Sequence, residues 1–284
     1  MDKFPLISLH ARKVSTTGMY NLLHVFNNIR SLTCWEPMFD IWDLSYFPHL
    51  RQLTLIRVRY SESVLNSIIY YFENCKRAKY LEKICLEFIV QDQDIQEAPV
   101  LYIPEVDVSK IFHKCESLKV FTIEFKDSLQ ATPSLGYSAY NNPRNVTRAW
   151  FQSLSHVQFG QMVQNSVVSV ILGNCPSLVN FHANHCPDLG DSDLTEALPI
   201  EKAESRLRLR CFYIYEASLL TENSFYTILE AFPNLRQFGN LSRWAVNCEG
   251  IQTIVRTIRN NNLEVEILCG SHWFQSACEQ EVII

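Results

Sequence analysis

His182, His185 and Cys186 form the one local cluster whose side chains are metal ligands. Imidazole and thiolate are zinc donors, and a thiol beside an imidazole can also act as nucleophile and base. With ten cysteines and eight histidines in the chain, both chemistries have to be weighed. Spacing supports neither, because there is no C-x-x-C pair, no H-E-x-x-H and no G-x-S-x-G. The eight glycines never fall two apart, so G-x-G-x-x-G and the phosphate-cradling P-loop are also missing. We therefore expect no catalytic residues, no metal and no cofactor. Arg206, Arg208 and Arg210 alternate as if along one strand face. They read as a solvated strand start that follows, and can pair with, Glu201 and Glu204, in preference to an anion site.

Composition narrows the class further. The 284 residues are 47% hydrophobic and 19% charged, with a net charge of −5. That suits a globular chain and disfavours one that mainly grips phosphate backbones. No apolar run reaches the ~18 residues of a membrane-spanning helix. The opening MDKFPLISLHARKV has no secretory pattern, so a cytoplasmic location is expected, with a nuclear one as the alternative. In either place the ten cysteines should be free thiols, and the sequons at Asn145 and Asn240 carry no meaning.

The elements that would position any site are set by a repeated phrase, Leu-x-x-Leu-x-Leu, often introduced by Cys or Phe and then Pro. It is clearest in FPHLRQLTL (Leu50, Leu53, Leu55), CESLKVFTI (Leu118, Phe121, Ile123), CPSLVNFHA (Leu178, Phe181, Ala183) and FPNLRQF (Leu235, Phe238). Weaker copies begin at Leu6, Ile29, Leu81, Leu154, Leu209 and Leu263. The ten first anchors recur about every 29 residues. Between phrases the apolar period lengthens from 2 to 3.6. Val64, Leu65, Ile68, Ile69 and Phe72 share one helical face behind a Ser61 N-cap. Helices are likewise expected around Val167–Leu172, Phe225–Phe232 and Ile251–Ile258. Short strands alternating with helices predict an α/β leucine-rich repeat solenoid, a horseshoe with parallel strands on the concave side and helices on the convex side. It is read as a single domain over 1–284 with about ten irregular repeats and insertions near 91–104 and 127–144.

One unit is more specific. Cys175, Leu178, Phe181, Ala183, Cys186, Leu189, Gly190, Asp191 and Leu194 together resemble the cysteine-containing leucine-rich repeat of the F-box family. Helix lengths are equally similar to those of the ribonuclease-inhibitor type. Within this unit Cys186 is expected to turn inward and Asp191 to cap the following helix, which Pro199 stops. The F-box resemblance implies a non-enzymatic scaffold similar to the substrate-recognition repeats of a ubiquitin-ligase receptor, with ubiquitin-ligase components among its partners. The alternative resemblance implies a stand-alone binding or assembly protein. No F-box is visible in the sequence given, which reads either as a diverged member or as a chain whose upstream segment is missing; because it opens on the strand phrase of Leu6, Leu9 and Ala11, we expect fraying or self-association through residues 1–30. The tail GSHWFQSACEQEVII is expected to cover the last coil.

The outward positions of the phrases form a mixed polar and aromatic concave surface suited to a protein partner, with no nucleic acid and no membrane expected. Trp35, His156, His182, Tyr213 and Tyr215 are the contact candidates there. Asp127–Arg144 is rich in Ser, Pro and Asn and reads as an exposed loop. It adds Tyr137 and Tyr140, since Tyr is enriched at binding hot spots.

Overall fold

The computed structural model describes residues 7–26, 28–90, 105–112, 114–126, 134–137, 152–198 and 208–269. In chain order the elements are β1 (Ser8–Arg12), α1 (Thr16–Val25), β2 (Ser31–Trp35), β3 (Gln52–Arg59), α2 (Glu62–Asn74), β4 (Lys83–Ile89), β5 (Glu105–Asp107), α3 (Ser109–Phe112), β6 (Val120–Lys126), β7 (Ser134–Gly136), β8 (His156–Met162), α4 (Asn165–Asn174), β9 (Asn180–His185), α5 (Asp191–Ala197), β10 (Cys211–Glu216), α6 (Glu222–Ala231), β11 (Gln237–Gly239), α7 (Cys248–Asn260) and β12 (Glu266–Leu268). A 3-10 turn, Ile41–Tyr46, lies between β2 and β3.

Each of the ten phrases becomes a strand, and the ten lie side by side in chain order in one sheet. Every pairing described within it is parallel. The register aligns the anchors, with Leu32 opposite Leu53, Leu53 opposite Ile84, and Ile84 opposite Phe121. The same backbone device repeats at the strand starts. The carbonyls of Arg30, Arg51, Glu82, Lys119, Ser155, Val179 and Arg210 each accept from two successive N–H groups of the next strand. Parallel strands need a crossover connection, and the intervening helices and turns provide it.

One sheet face holds the core. Leu53, Leu55, Ile84, Leu86, Phe121, Ile123, Phe181 and Ala183 join a single buried cluster, and all seven helices contribute to it, from Met19 in α1 to Ile254 in α7. A file of phenylalanines crosses the rungs. Phe121 and Phe159 have centroids 6.1 Å apart, Phe159 and Phe181 6.2 Å, Phe181 and Phe212 5.6 Å, and Phe212 and Phe238 5.8 Å. Such offset and edge-on pairs add to plain area burial.

Three details differ from what the sequence predicts. The Asp127–Arg144 insertion is not simply an exposed loop. Its Ser134–Gly136 segment is β7, buried throughout, pairing in parallel with β5 in a second, two-stranded sheet. Its middle residue also bridges Val163, so the insertion closes part of the core. Asp191 does not cap α5; Gly190 is the N-cap there, and its N–H donates to Asp193 Oδ2 at 2.8 Å. The Asp191 carboxylate instead accepts from Thr221 N at 3.0 Å and from the hydroxyls of Thr221 and Ser224, at the start of α6. Finally, Arg208 and Arg210 precede β10, which begins at Cys211; they do not share a strand face. Leu6, residues 91–104, Arg206 and the tail from 270 onward lie outside the described residues.

Cysteine placement follows the repeat. Cys75 and Cys175 are the C-caps of α2 and α4. Of the nine cysteines described, all are free, seven are buried, and Cys248 and Cys269 are exposed. Burial pushes the Cys34 thiol up to about 12 and raises Cys115, Cys175 and Cys186 as well. A buried neutral thiol is a poor nucleophile. Iodoacetamide on the native protein should therefore label Cys248 and Cys269 first, as read by peptide mass spectrometry. The seven buried cysteines should react only after denaturation, without added reductant.

Candidate functional site

The second sheet face carries the candidate contacts. Alternation along each strand sends every other side chain there. Register then places His156, Asn180 and Cys211 in one row of β8, β9 and β10, and Gln158, His182 and Tyr213 in the next. His156 is exposed, and its Nδ1 lies 2.8 Å from Ser155 Oγ. His182 is half-buried, with Nε2 3.2 Å from Cys211 Sγ and its ring 5.8 Å from that of Tyr213. Tyr215 is half-buried, with the Arg243 guanidinium 5.7 Å from its ring centroid. Gln158 Nε2 donates to Glu124 Oε1 at 2.6 Å, and Asn184 Nδ2 to the Gly160 carbonyl at 3.1 Å.

Electrostatics decide what the His182–Cys211 contact can do. Burial, assisted by the charge of His156, lowers His182 to about 4. Burial, with Glu266 adding to it, raises Cys211 to about 12. A thiolate–imidazolium pair needs both shifts to run the other way. At neutral pH the contact is thus between two neutral groups, and the thiol is not activated. His185 turns to Glu216, with Nδ1 3.6 Å from Oε2, while Cys186 is fully buried in the core. The three members of the sequence cluster therefore have three different surroundings. Among the described residues no group of three His, Cys, Asp or Glu side chains is placed to hold a metal ion.

The sequence candidates do not all meet. His156, His182 and Tyr215 gather on three consecutive strands. Trp35, 38% exposed on β2, stands four rungs from β8 in the sheet order, roughly 19 Å at ~4.8 Å per rung. It adjoins Glu36, which pairs with Arg12 at 3.2 Å and Lys13 at 3.3 Å. Tyr213 requires correction. It is 1% exposed, enclosed by Cys211, Leu268 and Tyr215 in a small second cluster, so it supports the face without presenting a contact. Tyr137 is corrected likewise. It is 8% exposed and packs into the main core beside β7. Tyr140 lies outside the described residues.

Glu87 and Glu124 also belong to this face. They are register partners on β4 and β6 and are nearly fully buried. Glu87 pairs with Lys126 Nζ at 2.8 Å. Their spacing in sequence carries no signal, since the contact exists only across strands.

The histidine burial gives a pH prediction. His182 is held neutral in the fold, with its pKa below the unfolded value of ~6.5. Its contribution to stability is complete above that value. It is lost as pH falls from about 6.5 towards about 4, because only the unfolded chain takes up the proton there. Urea midpoints should fall over that window, and His182→Gln should flatten the fall.

Among the described residues no helix is long and apolar enough to cross a membrane. No protein-family model matches the chain, and no curated protein matches it.

Proposed function

We propose that the chain is a non-enzymatic protein-interaction scaffold, a leucine-rich repeat solenoid whose strands line the concave side and hold a protein partner. The observation that carries this reading is the one-to-one correspondence between ten phrases and ten parallel strands laid down in chain order. An array of this kind offers a broad continuous face. That face presents exposed His156 and half-buried His182 and Tyr215, with Trp35 at a distance. This is the spacing of an extended protein contact, wider than a small-molecule pocket. The unactivated His182–Cys211 pair favours binding over thiol chemistry. The cysteine-containing unit at Cys175–Leu194, with Cys186 turned inward, favours the F-box-like subtype and hence a role in recognising substrates for ubiquitin ligation.

A photo-crosslinking amino acid placed at position 156 or 35 tests this in cells. Both positions should join the same partner, while the same probe at exposed Glu230 on α6 should not. Substituting both His156 and Tyr215 by Ala should weaken that partner's binding about tenfold or more, the scale of a hot-spot loss. Absence of a shared crosslink from positions 156 and 35 would remove the sheet face as the binding surface. Enrichment of ubiquitin-ligase subunits with the crosslinked complex would support the F-box-like subtype.

A further inference from the structure

The helix layer carries an open groove with exposed aromatic rings. The Ile41–Tyr46 turn and the first half of α2 border an open groove of about 810 Å³, lined by Asp40, Trp42, Glu62, Asn66 and Tyr70 among others. Trp42 is 38% and Tyr70 58% exposed, with ring centroids 5.8 Å apart. Along the same turn, Tyr46 and Tyr20 of α1 form a second exposed pair at 5.5 Å. A protein in water has no packing reason to keep four aromatic rings exposed together, and such clusters mark contact sites.

The charges that line the groove among the described residues are of one sign. Asp40 and Glu62 line it, and no described Lys or Arg does. Asp43, in the same turn, is 6% exposed, and its Oδ2 has no hydrogen-bond partner among the described residues. The Tyr20 phenol is pushed up, first by its hydrogen bond with Tyr46. A buried carboxylate oxygen without a partner is costly. Asp43 does not line the groove; the two carboxylates that do, Asp40 and Glu62, favour a cation there. Aromatic faces attract cations as well, and the planar guanidinium both stacks on rings and pairs with carboxylates.

We propose that this groove binds an extended, arginine-bearing peptide segment of a partner protein, with guanidinium groups lying on Trp42 and Tyr70 and pairing with Asp40 and Glu62. Rings set across an open groove suit an extended backbone, and a proline-rich one reaches them with little ordering cost.

Isothermal titration of the full chain with an eight-residue peptide of alternating Arg and Pro tests this, using the matching Glu–Pro peptide as control. The Arg–Pro peptide should bind at least tenfold more tightly than its acidic counterpart, and 0.5 M salt should weaken it. Glu62→Gln and Tyr70→Ala, both at exposed positions, should each reduce affinity several-fold, while Glu230→Gln on α6 should leave it unchanged. If Tyr70→Ala fails to fold, the charge-swapped peptides and Glu62→Gln still decide. No heat with the Arg–Pro peptide up to 1 mM, equal binding of the acidic peptide, or affinity unmoved by Glu62→Gln would overturn the proposal. So would a Tyr70-dependent preference for cellohexaose or a single-stranded oligonucleotide over the Arg–Pro peptide.

Discussion

Phe212→Ala should lower the free energy of unfolding by about 3–5 kcal/mol, the range for removing a fully buried aromatic ring. Phe212 is 0% exposed. Its ring is stacked at 5.6 Å on Phe181 and 5.8 Å on Phe238, and meets Trp244 edge-on at 6.2 Å. Truncation would therefore strip contacts from both neighbouring rungs and leave a cavity between them. The strands on either side are held in register by their own ladders, so the gap has little freedom to close. Urea denaturation should show a lower midpoint with an unchanged slope. Phe212→Leu, which keeps most of the volume, should cost less than half as much. A loss under about 0.5 kcal/mol for Phe212→Ala, the size of a surface change, would mean that the file of phenylalanines is not the core.

Asp191→Ala should cost about 2–3 kcal/mol, because it leaves half-buried Thr221 and fully buried Ser224 at the start of α6 without their acceptor. The carboxylate takes the Thr221 N–H and the hydroxyls of Thr221 and Ser224, and Thr221 is the N-cap of α6. Burial alone would raise the Asp191 pKa; hydrogen bonds from Ser224 and Thr221 outweigh it, and the net shift is downward. The sign follows from linkage. The stabilisation is complete above the unfolded value of ~3.9 and is lost as pH falls through the lower folded value. Wild type and Asp191→Ala should thus differ fully at neutral pH and converge below about pH 4. Asp191→Asn, which keeps an acceptor oxygen, should retain part of the stability without that pH dependence. This acid window lies below the one assigned to His182, so the two contributions separate in a single titration.

The ten phrases were legible because strand periodicity is local. Leu53 and Leu55 lie two residues apart and must face the same way, and the structure puts both at 1% exposure or less. The helix start at Ser61 was legible for a similar reason. A hydroxyl three residues before an N–H can reach it within one turn, and Ser61 Oγ accepts from Val64 N at 3.2 Å. Ser134–Gly136 escaped because three residues that follow Pro133 and end in Gly136 look like a turn. Its strand character comes wholly from pairing with Glu105–Asp107, which lies far away in the chain.

Asp191 shows the same divide at a single residue. A carboxylate at a helix start reads as a local cap. Its actual donors lie 30 and 33 positions ahead, one repeat away, and only the placement of α5 beside α6 brings them within reach. Tyr213 and Trp35 occupy outward positions of equivalent phrases, yet one is enclosed and the other half open, because Leu268 of β12 joins Cys211 and Tyr215 of Tyr213's own strand around the first. The chain's own alternation decided which face each side chain takes. Whether that face is open, and which acids and rings meet across it, depended on contacts between residues one or more repeats apart, where local periodicity carries no information.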